Sequence, residues 1–399
     1  MDSVVKIGII GLGGMGKAYC SFIDKLEHAK LVAVCDINEN VVQEITQQFH
    51  VAGFTDYKEM IASSKCNLMC VVTPHPLHYE VVYECIKAGL NVICEKPITE
   101  RVSTAKKLID FAKKKKVVFA IMFQRRFDYA FQKAYSLIKE GTIGEIYRTA
   151  LFDMQYRTQC YYDANQWRGT WKGEGGGVLV NQSPHMLDIL IYLTGMPSCV
   201  YGQTLTRFHS IETEDYAEAL LRYKNGATGY VYCSTCEPRI ESRLEIYGDK
   251  GKLIWRDGKL FLFRFEPSVS EHLKSAKDPW ASPKIVEVSL YKDNNDKSQV
   301  SNNVGELNQD YCGTHIDVLK NVVEHILFNK PLINSAESSI GSLELANAII
   351  LSSYTGKWIS LPLNTKRYDN LLANLRKKSK VSKESVSSKI TTDPKVMSR

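Results

Sequence analysis

The sequence predicts an α/β protein with an N-terminal, doubly wound parallel sheet and a C-terminal α+β domain built on a large, mostly antiparallel open sheet. Over the first 123 residues, apolar strand-length segments alternate with helical segments, as in a parallel sheet covered by helices on both faces. A glycine-rich turn joins the first predicted strand to the first helix. Further along, Tyr-, Val- and Thr-rich segments are separated by turn sequences such as Asn225-Gly226, which favours antiparallel pairing.

The predicted elements divide the chain into three parts: residues 1–123, residues 124–366 and a basic tail at 367–399. In the first part, strands are predicted at 4–10, 30–36, 67–72, 91–94 and 117–123, with helices at 14–25, 39–49, 78–88 and 102–114. In the second part, helices are predicted at 128–140, 183–194, 311–328 and 337–354, before an extended segment at 357–363. The polar stretch at 267–306 is predicted to be an insertion or exposed excursion. The Ser- and Lys-rich tail is predicted to be largely disordered, because it has few large apolar residues to bury.

Composition excludes several classes of protein. The chain has 399 residues, of which 44% are hydrophobic, enough for two cores. Eleven mostly isolated cysteines and no recognisable secretory signal favour a cytoplasmic protein, and no apolar run is long enough for a membrane span. The net charge of +7 is concentrated at residues 113–116 and in the tail, so no nucleic-acid partner is predicted. Cys233 and Cys236 fall on a predicted strand and should face opposite sides, so no metal is predicted.

The first glycine-rich turn is predicted to bind a dinucleotide in a Rossmann arrangement. It has the pattern GxGxxG, in which glycines allow a tight turn and a close approach of the backbone to a pyrophosphate. Asp36 ends the second predicted strand, where its carboxylate would accept hydrogen bonds from ribose hydroxyls and repel a 2′-phosphate. Because residues 37–39 offer no cation, NAD is predicted rather than NADP. The predicted cofactor contacts here are Gly11, Leu12, Gly13, Gly14, Met15, Gly16 and Asp36.

Lys96 is the first candidate for chemistry. It follows the predicted strand at 91–94, and the carboxyl ends of strands in an open α/β sheet border the ligand crevice. Pro97 provides no amide donor and keeps the preceding residue extended. A lysine after a strand is also compatible with a simply solvated side chain, but the Lys-Pro pair at this edge favours a functional role.

Several motifs, in order along the chain, resemble the Gfo/Idh/MocA family, which is named for glucose-fructose oxidoreductase and inositol dehydrogenase. They are GLGGMG at 11–16, Asp36, TPHPLH at 73–78, EKP at 95–97, QRRF at 124–127, WRGTWKGEGGGVLVNQSPHMLD at 167–188, GTH at 313–315 and SYTGKWISLP at 353–362. The resemblance runs from about residue 5 to residue 363, excluding 267–306 and the tail. It implies an NAD-dependent dehydrogenase that oxidises a secondary ring hydroxyl, such as C3, of a sugar, glycoside, anhydrosugar or cyclitol, or the reverse reduction.

The resemblance implies that Lys96 is the active-site lysine and His185 the histidine that meets the substrate hydroxyl. Hydride leaves a carbinol carbon only as the hydroxyl proton is lost, so a base must lie within hydrogen-bond reach of that oxygen. His185 is expected to be the base, and Lys96 to stabilise the developing alkoxide or to relay the proton. Many relatives carry an acid four residues before the histidine. This chain has Asn181 there, which is expected to position its neighbours by hydrogen bonds.

For several other predicted site residues, the sequence is compatible with more than one role. Asp188 is expected either to orient His185 or to cap local structure. Aromatic faces and donors for a polyhydroxylated ring are offered by Tyr156, Arg157, Tyr161, Tyr162 and Trp171, although a Tyr-rich stretch is as often part of a core or interface. The resemblance implies further cofactor contacts from Thr73, His75, His78, Glu95, Lys96, Gln124, Trp167 and Arg168.

Two alternative functions remain open. One is an NAD-dependent glycosidase that oxidises C3 transiently so that elimination can break the glycosidic bond. The other is a non-catalytic nucleotide-binding sensor or repressor, against which the presence of Lys96 and His185 argues. The resemblance also implies a homodimer or homotetramer formed through the open sheet, with a small carbohydrate as the only other partner.

Overall fold

The computed structural model describes residues 4–238, 240, 242–256, 258–290 and 312–380. The first part of the chain forms a parallel sheet with the order β3-β2-β1-β4-β5-β6. Its strands are β1 (Val5–Ile10), β2 (Ala29–Cys35), β3 (Ala52–Phe54), β4 (Leu68–Val71), β5 (Asn91–Cys94) and β6 (Phe119–Ile121), and its helices are α1 (Gly14–Asp24), α2 (Glu39–Phe49), α3 (Tyr57–Ala62), α4 (His78–Lys87) and α5 (Val102–Lys115). The strand order reverses between β1 and β4, so a ligand crevice is expected beyond their carboxyl ends.

Both faces of this sheet are buried, which explains why its strands are almost continuously apolar. On one face Ile7 and Ile9 of β1 belong to the same core cluster as Tyr19 and Ile23 of α1. On the other face, β1 and β4 contribute to a second core cluster with α4 and α5. The prediction of a doubly wound parallel sheet is therefore confirmed.

The second sheet has nine strands in the order β14-β13-β12-β11-β7-β10-β9-β8-β15. Its strands are β7 (Ile146–Met154), β8 (Cys199–Leu205), β9 (Tyr216–Arg222), β10 (Thr228–Ser234), β11 (Arg243–Gly248), β12 (Gly251–Arg256), β13 (Lys259–Glu266), β14 (Lys284–Val288) and β15 (Ile359–Ser360). Every pair is antiparallel except β7 with β10, which is parallel. The predicted turn at Asn225-Gly226 joins β9 to β10, with Gly226 at φ +87°. This sheet confirms the second half of the fold prediction.

Seven helices accompany the second sheet in the described residues: α6 (Tyr129–Lys139), α7 (Gln159–Asp163), α8 (Pro184–Thr194), α9 (Val269–Ser275), α10 (His315–Phe328), α11 (Ala336–Thr355) and α12 (Thr365–Lys378). Helix α11 packs on β8 and α8. Helix α10 instead returns to the first sheet, where Val318 and Val322 join the core cluster of α1. The described segments contain no helix that combines the length and apolarity needed to cross a membrane.

One prediction about a polar segment needs correction. Residues 365–378 are not disordered but form α12, because Tyr368 and Leu372 provide the apolar burial that the average composition of the tail hides. Residues 381–399 of the predicted tail lie outside the described residues. The predicted excursion at 267–306 contains α9 and β14, which pairs with β13 as an edge strand, while its residues 291–306 lie outside the description.

Candidate active site

The glycine turn between β1 and α1 is shaped for close approach of a phosphate. Gly11 has φ +97°, and a Cβ there would lie 2.7 Å from the main-chain oxygen of Val72. A Cβ on Gly16 would overlap the main-chain oxygen of Gly11, so the first turn of α1 packs directly against the glycine turn. A Cβ on Gly13 would meet no atom of the described residues within 4 Å, which leaves the backbone accessible. These residues fit the pyrophosphate of NAD at the amino end of α1.

Asp36 follows β2 and is held against this turn. Its Oδ2 accepts a hydrogen bond from the amide of Leu12 at 2.7 Å, and its Oδ1 accepts one from the amide of Asn38 at 2.9 Å. A fixed carboxylate at this strand end suits the ribose diol of NAD and opposes a 2′-phosphate.

Lys96 lies just after β5 and reaches across to the segment before α8. Its Nζ donates hydrogen bonds to the main-chain oxygen of Asn181 at 2.6 Å and to Asn181 Oδ1 at 3.3 Å. Burial lowers the pKa of Lys96 to about 8, with Arg168 acting in the same direction and Glu95 opposing it. Both protonation states of this amine are therefore accessible near neutral pH, as a residue that moves protons requires.

His185 is the second residue of α8, and its ring stands edge-on to Phe123, with centroids 5.6 Å apart. Burial, together with the charges of Lys96 and Arg125, holds the pKa of His185 well below its ordinary value. The imidazole is therefore neutral at pH 7. His185 Nδ1 is buried, and no atom in the described part of the chain hydrogen-bonds to it. Because buried polar atoms in proteins are normally paired, this nitrogen is a candidate ligand contact.

Further unpaired polar atoms lie at or after the carboxyl ends of β4 and β6. They are Thr73 Oγ1, His75 Nδ1 and Gln124 Oε1, each buried without a hydrogen-bond partner among the residues that the structure describes. The ring of Trp167 packs against the ring of His75, with the two ring centroids 4.9 Å apart. These groups border the same sheet edge as Lys96, which fits the amide-bearing end of NAD, a group with both donors and acceptors.

Several predicted site residues have other partners. Asp188 forms a buried ion pair with Arg126, with contacts of 2.6 and 2.7 Å, so it neither orients His185 nor caps the helix. Tyr162 is buried, and its hydroxyl lies 2.9 Å from Thr235 Oγ1, so it packs in the core instead of contacting a substrate. Both ring nitrogens of His78 lie 2.8 Å from carbonyl oxygens, those of Pro97 and Thr73. His78 therefore links the segment after β4 to the segment after β5.

The remaining predicted residues lie at the edge of the site. Glu95 accepts a hydrogen bond from Tyr19 at 2.7 Å and one from the amide of Lys96 at 3.2 Å, which holds the lysine segment against α1. Tyr156 is half exposed, and Arg157 donates to the oxygens of Gln155 and Tyr156. Arg168 lies over the rings of Trp167 and Tyr161 and donates to the Tyr161 hydroxyl.

Sequence reasoning missed Glu174 and the role of Tyr161. Glu174 is fully buried, accepts a hydrogen bond from the amide of Gly169 at 2.6 Å, and accepts another from Asn181 Nδ2. Tyr161 Oη receives contacts of 3.3 Å from Asn181 and Gln182. The available signal was an acid inside the glycine run GEGGG.

One group of potential metal ligands occurs in the described residues, at His209, Asp215 and Cys236, whose ligand atoms lie within 4.8 Å of one another. The Asp215 carboxylate already accepts hydrogen bonds from the amides of residues 207, 208 and 209. The His209 ring contacts Asp215 through one nitrogen and the oxygen of Arg157 through the other. These bonds fix a loop beside the site. The sequence places Cys236 on a predicted strand, but in the structure Cys236 lies just beyond β10.

Two family models match the chain. The model for "Oxidoreductase family, NAD-binding Rossmann fold" matches residues 5–123, and the model for "GFO/IDH/MocA C-terminal domain" matches residues 131–254. Together they span more than half of the chain and include Asp36, Lys96 and His185.

Individual relatives match over most of their length. The D-glucoside 3-dehydrogenase of Escherichia coli is 25% identical over 364 residues, which are 90% of this chain and 98% of that protein. The scyllo-inositol 2-dehydrogenase (NADP(+)) IolW of Bacillus subtilis is 25% identical over 367 residues, which are 90% and 96%. The crystal structure of the WlbA dehydrogenase from Bordetella pertussis in complex with NADH and UDP-GlcNAcA has a TM-score of 0.73 at 25% identity, covering 90% of this chain and 100% of that one.

Proposed function

The chain belongs to the Gfo/Idh/MocA family and is an NAD-dependent oxidoreductase acting on CH–OH donors, and from this premise we propose that it oxidises a secondary ring hydroxyl of a sugar, glycoside, anhydrosugar or cyclitol. Reduction of the corresponding ketone is the same chemistry in reverse. The family models and the relatives confirm two predictions from the sequence, namely that the chain belongs to this family and that its cofactor is NAD. One observation carries the substrate proposal. Lys96 is hydrogen-bonded to Asn181, which precedes the neutral His185 by four residues in the sequence. Lys96 lies at the sheet edge that bears the glycine turn.

The relatives support a polyhydroxylated ring as substrate. Two of them are named for a glucoside and for an inositol, and the WlbA structure contains a nucleotide-linked sugar acid. The inositol relative is named for NADP, but in this chain Asp36 directly follows β2 and residues 37–39 offer no cation. This arrangement supports NAD as the cofactor here.

We assign the hydroxyl proton to Lys96. NAD, when bound, supplies the acceptor for the hydride that leaves the carbinol carbon, and the glycine turn, Asp36, Thr73 and Gln124 would hold it. The free amine of Lys96 takes the proton as the O–H bond breaks, and the neutral His185 ring orients the same oxygen by a hydrogen bond. The resemblance of the sequence to the family instead implies that His185 is the base. An imidazole whose pKa is far below its ordinary value is a weak base, whereas the Lys96 pKa of about 8 suits a proton acceptor near neutral pH.

The test is NADH formation over a panel of free sugars, inositols, O- and C-glycosides and anhydrosugars. Lys96→Met and His185→Ala should each lower kcat/KM for the active substrate by about 100-fold or more. Lys87→Met removes an exposed lysine of α4 and is the matched control, which should retain activity. Turnover that survives Lys96→Met would refute the assignment. Glycoside cleavage without net NADH formation would favour the transient-oxidation glycosidase instead.

A further inference from the structure

Glu174 is a fully buried acid that the proposed proton transfer does not use. It lies in the loop between Trp167 and Gly177, and its two oxygens have different partners. One accepts a hydrogen bond from the amide of Gly169 at 2.6 Å, and the other accepts one from Asn181 Nδ2. Because Asn181 also contacts Lys96, Glu174 is one side chain away from the reacting amine.

The bond to Glu174 determines which end of the Asn181 amide faces Lys96. An amide side chain has one acceptor oxygen and one donor nitrogen. Asn181 Nδ2 faces two oxygens, those of Glu174 and Tyr161, so Asn181 Oδ1 points to the Lys96 amine. The reversed amide would place an oxygen against the carboxylate and an NH₂ group against the ammonium, which are two repulsive contacts.

The charge of Glu174 also acts on Lys96. The groups that influence the amine are Glu95 and Glu174, which favour the ammonium, and Arg168 and Arg157, which disfavour it. Burial raises the pKa of Glu174 itself, while Arg168, the Gly169 amide, Asn181 and Lys96 oppose that rise. The buried carboxylate is thus stabilised in part by Asn181 and Lys96, the two groups that it positions.

We propose that Glu174 is a positioning residue for Lys96, which acts through Asn181 by fixing the orientation of its amide and by placing a negative charge behind it. This inference rests on the proposed function, in which Lys96 accepts the substrate proton. It predicts that the carboxylate can be moved: an acid at position 181 should replace the acid at position 174, since position 181 contacts the amine directly and position 174 acts on it through residue 181.

The experiment compares Glu174→Gln, Asn181→Asp and the double variant. Glu174→Gln keeps the size of the side chain but presents an NH₂ group to Asn181, so kcat should fall on the order of 10- to 100-fold, with KM changed less than about 2-fold. The loss of the negative charge should also move the Lys96 inflection of the pH–kcat/KM profile below about 8. Asn181→Asp alone places two acids in contact and should also be slow. The double variant should exceed both single variants in kcat and return the inflection toward its original position.

Glu214→Gln is the matched control. Glu214 is another buried acid beside the same loop, and it accepts hydrogen bonds from the amides of Gly177 and Leu179, whereas no hydrogen bond joins it to Asn181 in the described part of the chain. Its variant should lower thermal stability without moving the Lys96 inflection. A second measurement needs no substrate: the pH dependence of Lys96 acetylation by acetic anhydride in the apoprotein, read by mass spectrometry, should shift to lower pH in Glu174→Gln only.

The possible outcomes separate the two proposals. Activity that persists in Lys96→Met overturns the assignment of the substrate proton to Lys96, the part of the proposed function on which this inference rests. If Lys96→Met is inactive but Glu174→Gln behaves like Glu214→Gln, the proposed function stands and the role of Glu174 is refuted. Failure of the double variant to exceed Glu174→Gln, when both fold, also refutes it.

Discussion

At the scale of single residues, the site depends on groups whose protonation is set by burial. Lys96 has its pKa lowered to about 8, and His185 has its pKa held well below the ordinary histidine range. The reason is the same for both, because removing a cation from water disfavours the charged form. Their ordinary values differ by several units, so the same effect leaves the histidine neutral and the lysine poised to exchange a proton near neutral pH.

This difference predicts the pH dependence of alcohol oxidation. The active form of Lys96 is the free amine, so kcat/KM should fall as the pH is lowered through about 8 and should level off above it. His185 stays neutral through pH 6.5 and should add no inflection there. Initial rates between pH 5.5 and 10 at constant ionic strength would measure this profile. A rate that is constant across pH 7–9, or that falls toward alkaline pH, would contradict the role of Lys96 as base.

At the scale of elements, α12 supports the active-site loop from behind. Tyr368, Leu372 and Arg376 are spaced four residues apart and therefore lie on one face of the helix. The first two are buried. Arg376 donates to the main-chain oxygen of Trp171 at 3.2 Å and forms an ion pair with the buried carboxylate of Glu100. One side chain thus connects the loop before Asn181 with the segment that follows Lys96.

Removal of this connection should loosen the loop. Arg376→Ala takes a cationic partner from the Glu100 carboxylate, which should lower the free energy of unfolding by about 1–3 kcal/mol. It should also speed amide hydrogen exchange in peptides covering residues 167–177. Lys377→Ala, which removes an exposed charge from the next position of α12, should change neither quantity. Equal exchange in the two variants would show that α12 does not support the loop.

At the scale of the whole molecule, the second sheet has one face without a covering layer in the described chain. Leu220 is 51% exposed and Tyr201 is 40% exposed, although their strand neighbours Leu221 and Val200 are buried. Arg222 lies over the ring of Trp358 on this side. A broad apolar face with aromatic and arginine side chains is typical of a protein interface.

We therefore expect a homodimer, or a tetramer containing it, that forms through this face. Sedimentation should give at least twice the chain mass of 45.2 kDa at micromolar concentration, and Leu220→Glu should shift the protein toward the monomer. Leu273→Glu is the control, since Leu273 is 78% exposed but lies on α9, outside the strands β8 and β9 that carry Tyr201 and Leu220. A wild-type protein that sediments as a monomer would refute the expectation.

The sequence by itself determined the features that a short stretch of chain can specify. The alternation of strands and helices, the GxGxxG turn, Asp36 after β2 and Lys96 after β5 follow from local patterns and from the rule that parallel strands present their carboxyl ends to a ligand. Only the tertiary structure decided which distant side chains meet. Lys96 and Asn181 are 85 residues apart, Arg126 and Asp188 are 62 apart, and Arg376 and Glu100 are 276 apart in the sequence. A buried charge must find a partner wherever packing places one, and a sequence read segment by segment has no information on that packing. For this reason local patterns do not reveal the partner of Asp188, the position of Glu174 behind Asn181 or the burial of one face of α12.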